Sequence, residues 1–254
     1  DSQSGGPFSF KISEIGIATF SLPSMTYQGM TVLTGLGSAR QIGWGAAMVD
    51  GVGADPYTYI YGRANEVDFR HLYIARAPKG QVKNVSAWQF WTGTTAVSDQ
   101  WSANESSAVS TMTGVSASFS VKYLEQYKSY VLVTFDQSNA FDNRIYAYHA
   151  GSPTGPFRHG QQVYTAPEVG GGRYSYNARL HLEQNAGGAT AVVSYNVNSF
   201  DWDAVYRDAR LYRPRFINVS LPPPIDASQL PEAPRNLTAV SPADGQVKLD
   251  WTAP

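Results

Sequence analysis

The chain has 254 residues, of which 13% are aromatic and only 15% charged, and its formal net charge is −1. That balance gives no electrostatic reason to expect nucleic acid, and with 43% hydrophobic residues the chain can bury a large core. It has no cysteine, which rules out a disulfide framework and a thiol nucleophile but not secretion, and no segment approaches the ~18 uninterrupted apolar residues of a spanning helix.

Tyr, Thr, Val, Ser and Gly dominate where a helical protein would use Ala, Leu, Glu and Lys, so the chain reads as all-β with little helix. In chain order, residues 8–20 and 29–34 are expected to be outer strands of a sheet whose inner strands would precede residue 1. Residues 44–50, 57–61, 71–75 and 87–91 form the next set of alternating strands, and 116–123, 130–135, 144–149 and 162–165 the one after. A last set holds 177–183, 190–196 and 211–216. Aromatic positions recur between the two complete sets at one offset: Tyr57 to Tyr130, Tyr73 to Tyr146 and Trp91 to Tyr164 are each 73 residues apart. Both sets place a proline-marked turn after the middle strand, Ala77-Pro78-Lys79-Gly80 and Ser152-Pro153-Thr154-Gly155-Pro156. A sheet module repeated at this length points to a β-propeller or another radial array. Three blades and a remnant do not close a ring, and an open ring leaves a sheet face uncovered.

After the last strand come Pro222-Pro223-Pro224, and the stretch 222–234 holds five prolines, which reads as a semi-rigid extended linker. Beyond it, Ala233-Pro234-Arg235-Asn236-Leu237-Thr238-Ala239-Val240 and Gly245-Gln246-Val247-Lys248-Leu249-Asp250-Trp251-Thr252 resemble the first two strands of a fibronectin type III module. That module normally needs about 100 residues, so the expectation is a truncated module over 234–254. The organisation expected is a partial propeller over 1–221, a linker over 222–233 and the fibronectin-like strands.

Several runs carry a further resemblance: Tyr57-Thr58-Tyr59-Ile60-Tyr61-Gly62-Arg63, Leu72-Tyr73-Ile74-Ala75-Arg76-Ala77-Pro78, Trp88 and Trp91 with Trp101 beyond, and Gly155-Pro156-Phe157 followed by Val163-Tyr164-Thr165-Ala166-Pro167. Together they resemble five-bladed propellers of the glycoside hydrolase type, most closely a bacterial family associated with endo-D-arabinanases. The resemblance implies a five-bladed propeller with its N-terminal blade missing, secreted or at the cell surface and part of a larger modular chain. It implies an enzyme of glycoside hydrolase type acting on a furanose-rich polysaccharide such as arabinan. An essential acid of such enzymes commonly comes from the first blade, so the 254-residue chain alone is expected to be inactive. The alternative is a non-catalytic carbohydrate-binding or adhesion propeller. No cofactor, metal, nucleic-acid partner or membrane span is expected, and the chain is expected to be monomeric.

In an antiparallel blade the start of the first strand lies beside the end of the second, so those loops converge on one face. They supply the candidates Trp44 and Arg63 from the first full blade and Tyr176, Asn177, Arg179, His181 and Asn196 from the last. Aromatic faces for sugar C–H surfaces and forked donors for hydroxyls are what a neutral glycan requires. Glycosidic hydrolysis needs two carboxyl groups, and the candidates are Asp136, at the end of an aromatic-rich strand, with Glu66 and Asp68, two residues apart. Each has a structural reading beside it: Asp136 can cap a turn before Ser138, Glu66 and Asp68 can be solvated loop charges, and a lone His181 is more often a hydrogen-bonded structural residue than a base.

Overall fold

The computed structural model describes residues 11–37, 39–65, 70–93, 100–138, 142–184, 190–225, 235–240 and 248–252. The chain divides into two compact units, 1–223 and 224–254. In the first unit every strand pairing is antiparallel. A hairpin of β1 (Gly16–Ser21) and β2 (Thr26–Val32) comes first. A larger sheet follows, with β3 (Gly43–Asp50), β4 (Tyr57–Asn65), β5 (Arg70–Pro78), β6 (Gln89–Trp91) and β7 (Trp101–Ser102) in order and β8 (Met112–Thr113) pairing back on β5. The next sheet is β9 (Ser120–Leu124), β10 (Ser129–Phe135), β11 (Arg144–Ala150) and β12 (Arg158–Thr165). The last is β13 (Arg173–His181), β14 (Thr190–Ser199) and β15 (Pro214–Ser220), with the short helix α1 (Trp202–Arg207) before β15. Asp201 starts that helix as its N-cap, its carboxylate accepting from the Ala204 N–H at 2.9 Å. Among the described residues no helix is long and apolar enough to cross a membrane.

The sheets stack in series, with a separate core between each pair. One core joins the first large sheet to the chain preceding it, through Leu33, Ile42, Trp44, Ile60, Tyr73 and Trp88. The second lies between the two large sheets and holds Tyr59, Tyr61, Leu72 and Ile74 against Phe119, Tyr130, Leu132 and Phe157. The third packs Val131, Val133, Phe135 and Ile145 on one sheet against Leu180, Val193, Tyr195 and Val197 on the next. Strand β10 faces two cores, and all seven of its residues are buried, which is why Ser-Tyr-Val-Leu-Val-Thr-Phe carries hydrophobic side chains at successive positions, with only the small hydroxyl residues Ser129 and Thr134 among them, rather than a polar alternation. The first strands also touch across sheets: Arg179 on β13 donates through Nη1 to the Ala46 carbonyl on β3 at 3.0 Å, and the Leu180 N–H donates to Ser120 Oγ on β9 at 2.9 Å.

The 73-residue phase holds for only part of this repeat. In the first large sheet Gly62 pairs with Tyr73, whereas in the second Thr134 pairs with Tyr146. Tyr73 to Tyr146 is 73 residues, but Gly62 to Thr134 is 72. Because side chains alternate with period two, that single residue inverts the facing of β10 relative to β4 in the sequence phase. Tyr59 and its 73-residue counterpart Leu132 therefore meet in the same core from opposite sheets.

In the second unit, β16 (Arg235–Val240) and β17 (Lys248–Thr252) form an antiparallel pair. Val240 and Leu249 on this hairpin are 55% and 50% exposed.

Candidate functional site

The alternation of antiparallel strands brings first-strand starts and second-strand ends of all three larger sheets to one edge, and a cavity of about 770 Å³ opens there. The first large sheet gives Gln41 and Gly43 at the entry to β3, Arg63 near the end of β4 and Arg70 at the start of β5. The second gives Ser116, Ala117 and Ser118 ahead of β9 and Gln137 after β10. The third gives Tyr174, Ser175, Tyr176 and Asn177 from β13 and Asn198 from β14, and Lys11 and Ile12 complete the lining. Gln41 fixes the N-terminal segment, accepting from the Ile12 N–H at 2.7 Å and donating to its carbonyl at 3.2 Å.

Two guanidiniums share this cavity. Burial, and then the neighbouring charge of Arg70, bring Arg63 down to about 10, and burial likewise lowers Arg70. Arg70 donates through Nη1 to the amide oxygen of Gln137, a neutral acceptor on the next sheet. On the β13 wall, Tyr174 and Tyr176 lie with ring centroids 5.8 Å apart, and Tyr174 packs on Phe200 at 4.7 Å. Burial and then the adjacent Tyr212 push the Tyr176 phenol up to about 12, and Asn196 hydrogen-bonds it, so this hydroxyl stays a neutral donor at any physiological pH. Asn177 has φ of 63°, a left-handed conformation, at the register shift of β13 between Tyr176 and Arg179. The bulge re-aims the strand at the cavity wall.

Of the expected ligand-binding residues, the structure brings Arg63, Tyr176 and Asn177 to the cavity lining. Asn196 stands behind Tyr176 as its β14 register partner. Arg179 is one step further along and turns to the sheet junction, its Nε also donating to Asn177 Oδ1 at 3.3 Å. Trp44 is not at the surface: it is 5% exposed in the first core, edge-on to Trp88, with its indole N–H on the Glu105 carboxylate. The reason is the bulge at Gly45, φ 90°, where the β3–β4 register shifts between Trp44 and Ala47. His181 sits at the far end of β13, four residues or roughly 13 Å past Asn177 at strand rise, bridging Glu183 and Ser194 at 3.0 and 2.8 Å.

The expected acids divide. Glu66 and Asp68, which fall between β4 and β5 in the sequence, lie outside the described residues. Asp136 follows β10 directly before the lining residue Gln137, but its carboxylate accepts from the Ser138 N–H at 2.9 Å and faces Arg144 at 3.5 Å. That is the turn-capping geometry with an ion pair added. Sequence reasoning missed Arg70 and Ser175, though Arg70 pairs with Asn65 at the hairpin mouth and could have been found by extending the same edge argument to β5. Among the described residues no cluster of three or more His, Asp or Glu could hold a metal ion.

The chain matches a domain family of unknown function, DUF5005, over residues 1–227. It belongs to that family. None of the curated proteins compared matches the DUF5005 chain. Among solved structures, a "putative hydrolase" from Bacteroides ovatus superposes with a TM-score of 0.61 at 17% identity, over 81% of this chain and 52% of that one. A GH43 β-1,3-galactosidase aligns more loosely, with a TM-score of 0.38 at 12% identity over 81% of this chain and 39% of that one. The DUF5005 chain thus spans about half the length of the first structure and less of the second, and the first likeness is one of fold.

Proposed function

We propose that this DUF5005 chain is a glycan-acting domain of the propeller glycoside hydrolase type. The sheets stacked in series, each with a core to its neighbour, and the first strands meeting at one junction support consecutive propeller blades. The observation that carries the function is the cavity at the convergent edge, where guanidiniums, amides, serine hydroxyls and two phenol rings face one space. Carbohydrates are held by that mixture, with aromatic faces against C–H surfaces and fixed donors on hydroxyls. A furanose-rich arabinan as substrate, five blades, an extracellular setting and a fibronectin-like second unit belong to the same proposal and rest on the sequence resemblance.

Cleavage would use an acid and a second carboxylate on either side of the glycosidic bond. In the sequence, Glu66 and Asp68 stand between Arg63 and Arg70, the two arginines that line the cavity, and they are the carboxylates this reading assigns to that step. A second reading, a carbohydrate-binding domain without hydrolysis, is favoured by one observation: no Asp or Glu is among the described residues lining the cavity.

Reducing-end release and binding should be measured on D-arabinan, L-arabinan, galactan and xylan, for the chain and for Glu66→Gln, Asp68→Asn and Asp136→Asn. Turnover that drops at least about tenfold, or ~1.4 kcal/mol of transition-state stabilisation, in the Glu66 or Asp68 variant with binding retained supports the hydrolase. Binding without turnover both in the parent chain and in that chain with an added N-terminal blade supports the second reading. Absence of binding to every glycan overturns both.

A further inference from the structure

The connection from β14 to β15 turns its largest side chains outward: Phe200, Trp202, Tyr206 and Tyr212 are all exposed, Trp202 to 60% and Tyr206 to 86%. In α1 the half-buried positions are instead the smaller Ala204 and Val205, the reverse of a surface helix that packs its large apolar residues inward. Every large apolar side chain exposed over 200–212 is aromatic, and the exposed charges of Asp201, Asp203, Arg207 and Arg210 stand among them. The exposed face of the β1–β2 hairpin differs, since Leu22, Met25, Met30 and Val32 accompany its aromatics. Flat rings in a polar surround suit the C–H faces of sugars, whereas mixed aliphatics suit an apolar partner. The connection is also fastened in place. The Phe200 N–H donates to the Gly172 carbonyl at 2.9 Å, Asp208 accepts from the Arg210 N–H at 3.0 Å, and Arg215, paired with Glu168, donates to the Arg210 carbonyl at 2.6 Å. It adjoins the cavity at two points: Phe200 packs on the lining residue Tyr174, and Tyr212 hydrogen-bonds the lining phenol of Tyr176. Between those two tyrosines, Ser175 lines the cavity at 1% exposure with no hydrogen-bond partner for its Oγ, a deficit that a ligand hydroxyl would remove.

We propose that residues 200–212 form an aromatic platform that holds further units of a polysaccharide chain whose neighbouring units occupy the cavity. This deepens the glycan reading and rests on it: the ligand is an extended chain rather than a mono- or disaccharide. Trp202 and Tyr206 are four residues apart, so they share one face of α1 about 6 Å apart along its axis, and neither belongs to any of the three cores. Stacking on them adds affinity without reading the pattern of hydroxyls, while the amides and hydroxyls of the cavity read it. Because the backbone of the connection is held and Trp and Tyr have few rotatable bonds, presenting these rings costs little ordering entropy on binding.

The test is calorimetric titration of the 254-residue chain with arabinan, galactan and xylan oligosaccharides from disaccharide to octasaccharide, repeated with Trp202→Ala, Tyr206→Ala and the double variant. At least one series should bind about tenfold or more tighter as octasaccharide than as disaccharide. The double variant should lose most of that gain, about tenfold, and bind the disaccharide as the parent does. In the parent chain the octasaccharide, and not the disaccharide, should shield tryptophan fluorescence from acrylamide, which decides alone if a variant fails to fold by circular dichroism. Affinity independent of length, or a double variant that keeps the whole gain, overturns the platform and leaves the glycan reading standing. Equal losses at both lengths assign the rings to the support of the cavity and overturn the platform in the same way. A parent chain that dimerises through these rings, becoming monomeric in the double variant with its length dependence unchanged, gives them to a second copy and also overturns it. No binding to any carbohydrate overturns both proposals.

Discussion

His149 is 8% exposed, with both ring nitrogens in use at 2.9 Å. The Pro222 carbonyl can only accept, so Nε2 carries the proton and Nδ1 accepts from Ser129. Burial holds the imidazole below its usual 6.5, so the unfolded chain takes up a proton at higher pH than the folded one does. Below pH ~6.5 stability therefore falls as pH falls, by at most about 1.4 kcal/mol per pH unit for one group. The Asp142 carboxyl, held low chiefly by Arg144, adds its loss only below the ordinary carboxylate range, so the two effects separate. The melting temperature should be lower at pH 5.5 than at pH 7.5, and His149→Gln should flatten that difference. An unchanged slope in the variant would remove His149 from the account.

At the scale of elements, the β3–β4 pairing shows how a bulge decides what a side chain does. Gly62 lies opposite Trp44, and a Cβ on it would come within 2.6 Å of Trp44 Cε3 and 2.7 Å of Ile42 Cγ2. The absence of a side chain at Gly62 is what lets the Trp44 ring lie over that position in the first core, edge-on to Trp88 and tilted against Phe90. Gly62→Ala should cost about 1–3 kcal/mol in overpacking, read as a lower urea midpoint at unchanged slope. An unshifted midpoint would mean that the ring is not packed against this strand. The same bulge took Trp44 out of the cavity, and the bulge at Asn177 put β13 into it, so local breaks in the ladders chose the lining as much as the strands did.

Over the first unit as a whole, the chain leaving the third sheet returns across the second. Three consecutive carbonyls are each caught by that sheet's side chains: Leu221 by Tyr127 Oη at 2.9 Å, Pro222 by His149 Nε2 at 2.9 Å and Pro223 by Gln161 Nε2 at 2.8 Å. The first two residues of the expected proline linker are thus docked, because prolines lack N–H groups and leave their carbonyls free to accept. Tyr127→Phe and Gln161→Ala should each lower unfolding stability, by about 1 kcal/mol for the partly buried Tyr127 bond and less for exposed Gln161, and should add, since they touch different carbonyls. Additivity failing by more than ~0.5 kcal/mol would show that the segment docks as one unit.

Strand order, the all-β character and the edge where a site would open were legible in the sequence, since period-two alternation and antiparallel connection determine them locally. Arg63, Tyr176 and Asn177 were found that way. Facing was not legible: a register differing by one residue between two similar hairpins turns Tyr59 and Leu132 toward each other, and bulges at Gly45 and Asn177 send Trp44 inward and β13 outward. Register is settled by which cores the two faces of a strand must fill, and those cores are made by neighbouring sheets far along the chain. The rest of the lining was hidden for the same reason. Arg70 and Ser175 are unremarkable in a chain of net charge −1, and only the meeting of sheets at one edge brings them to the same cavity as Arg63.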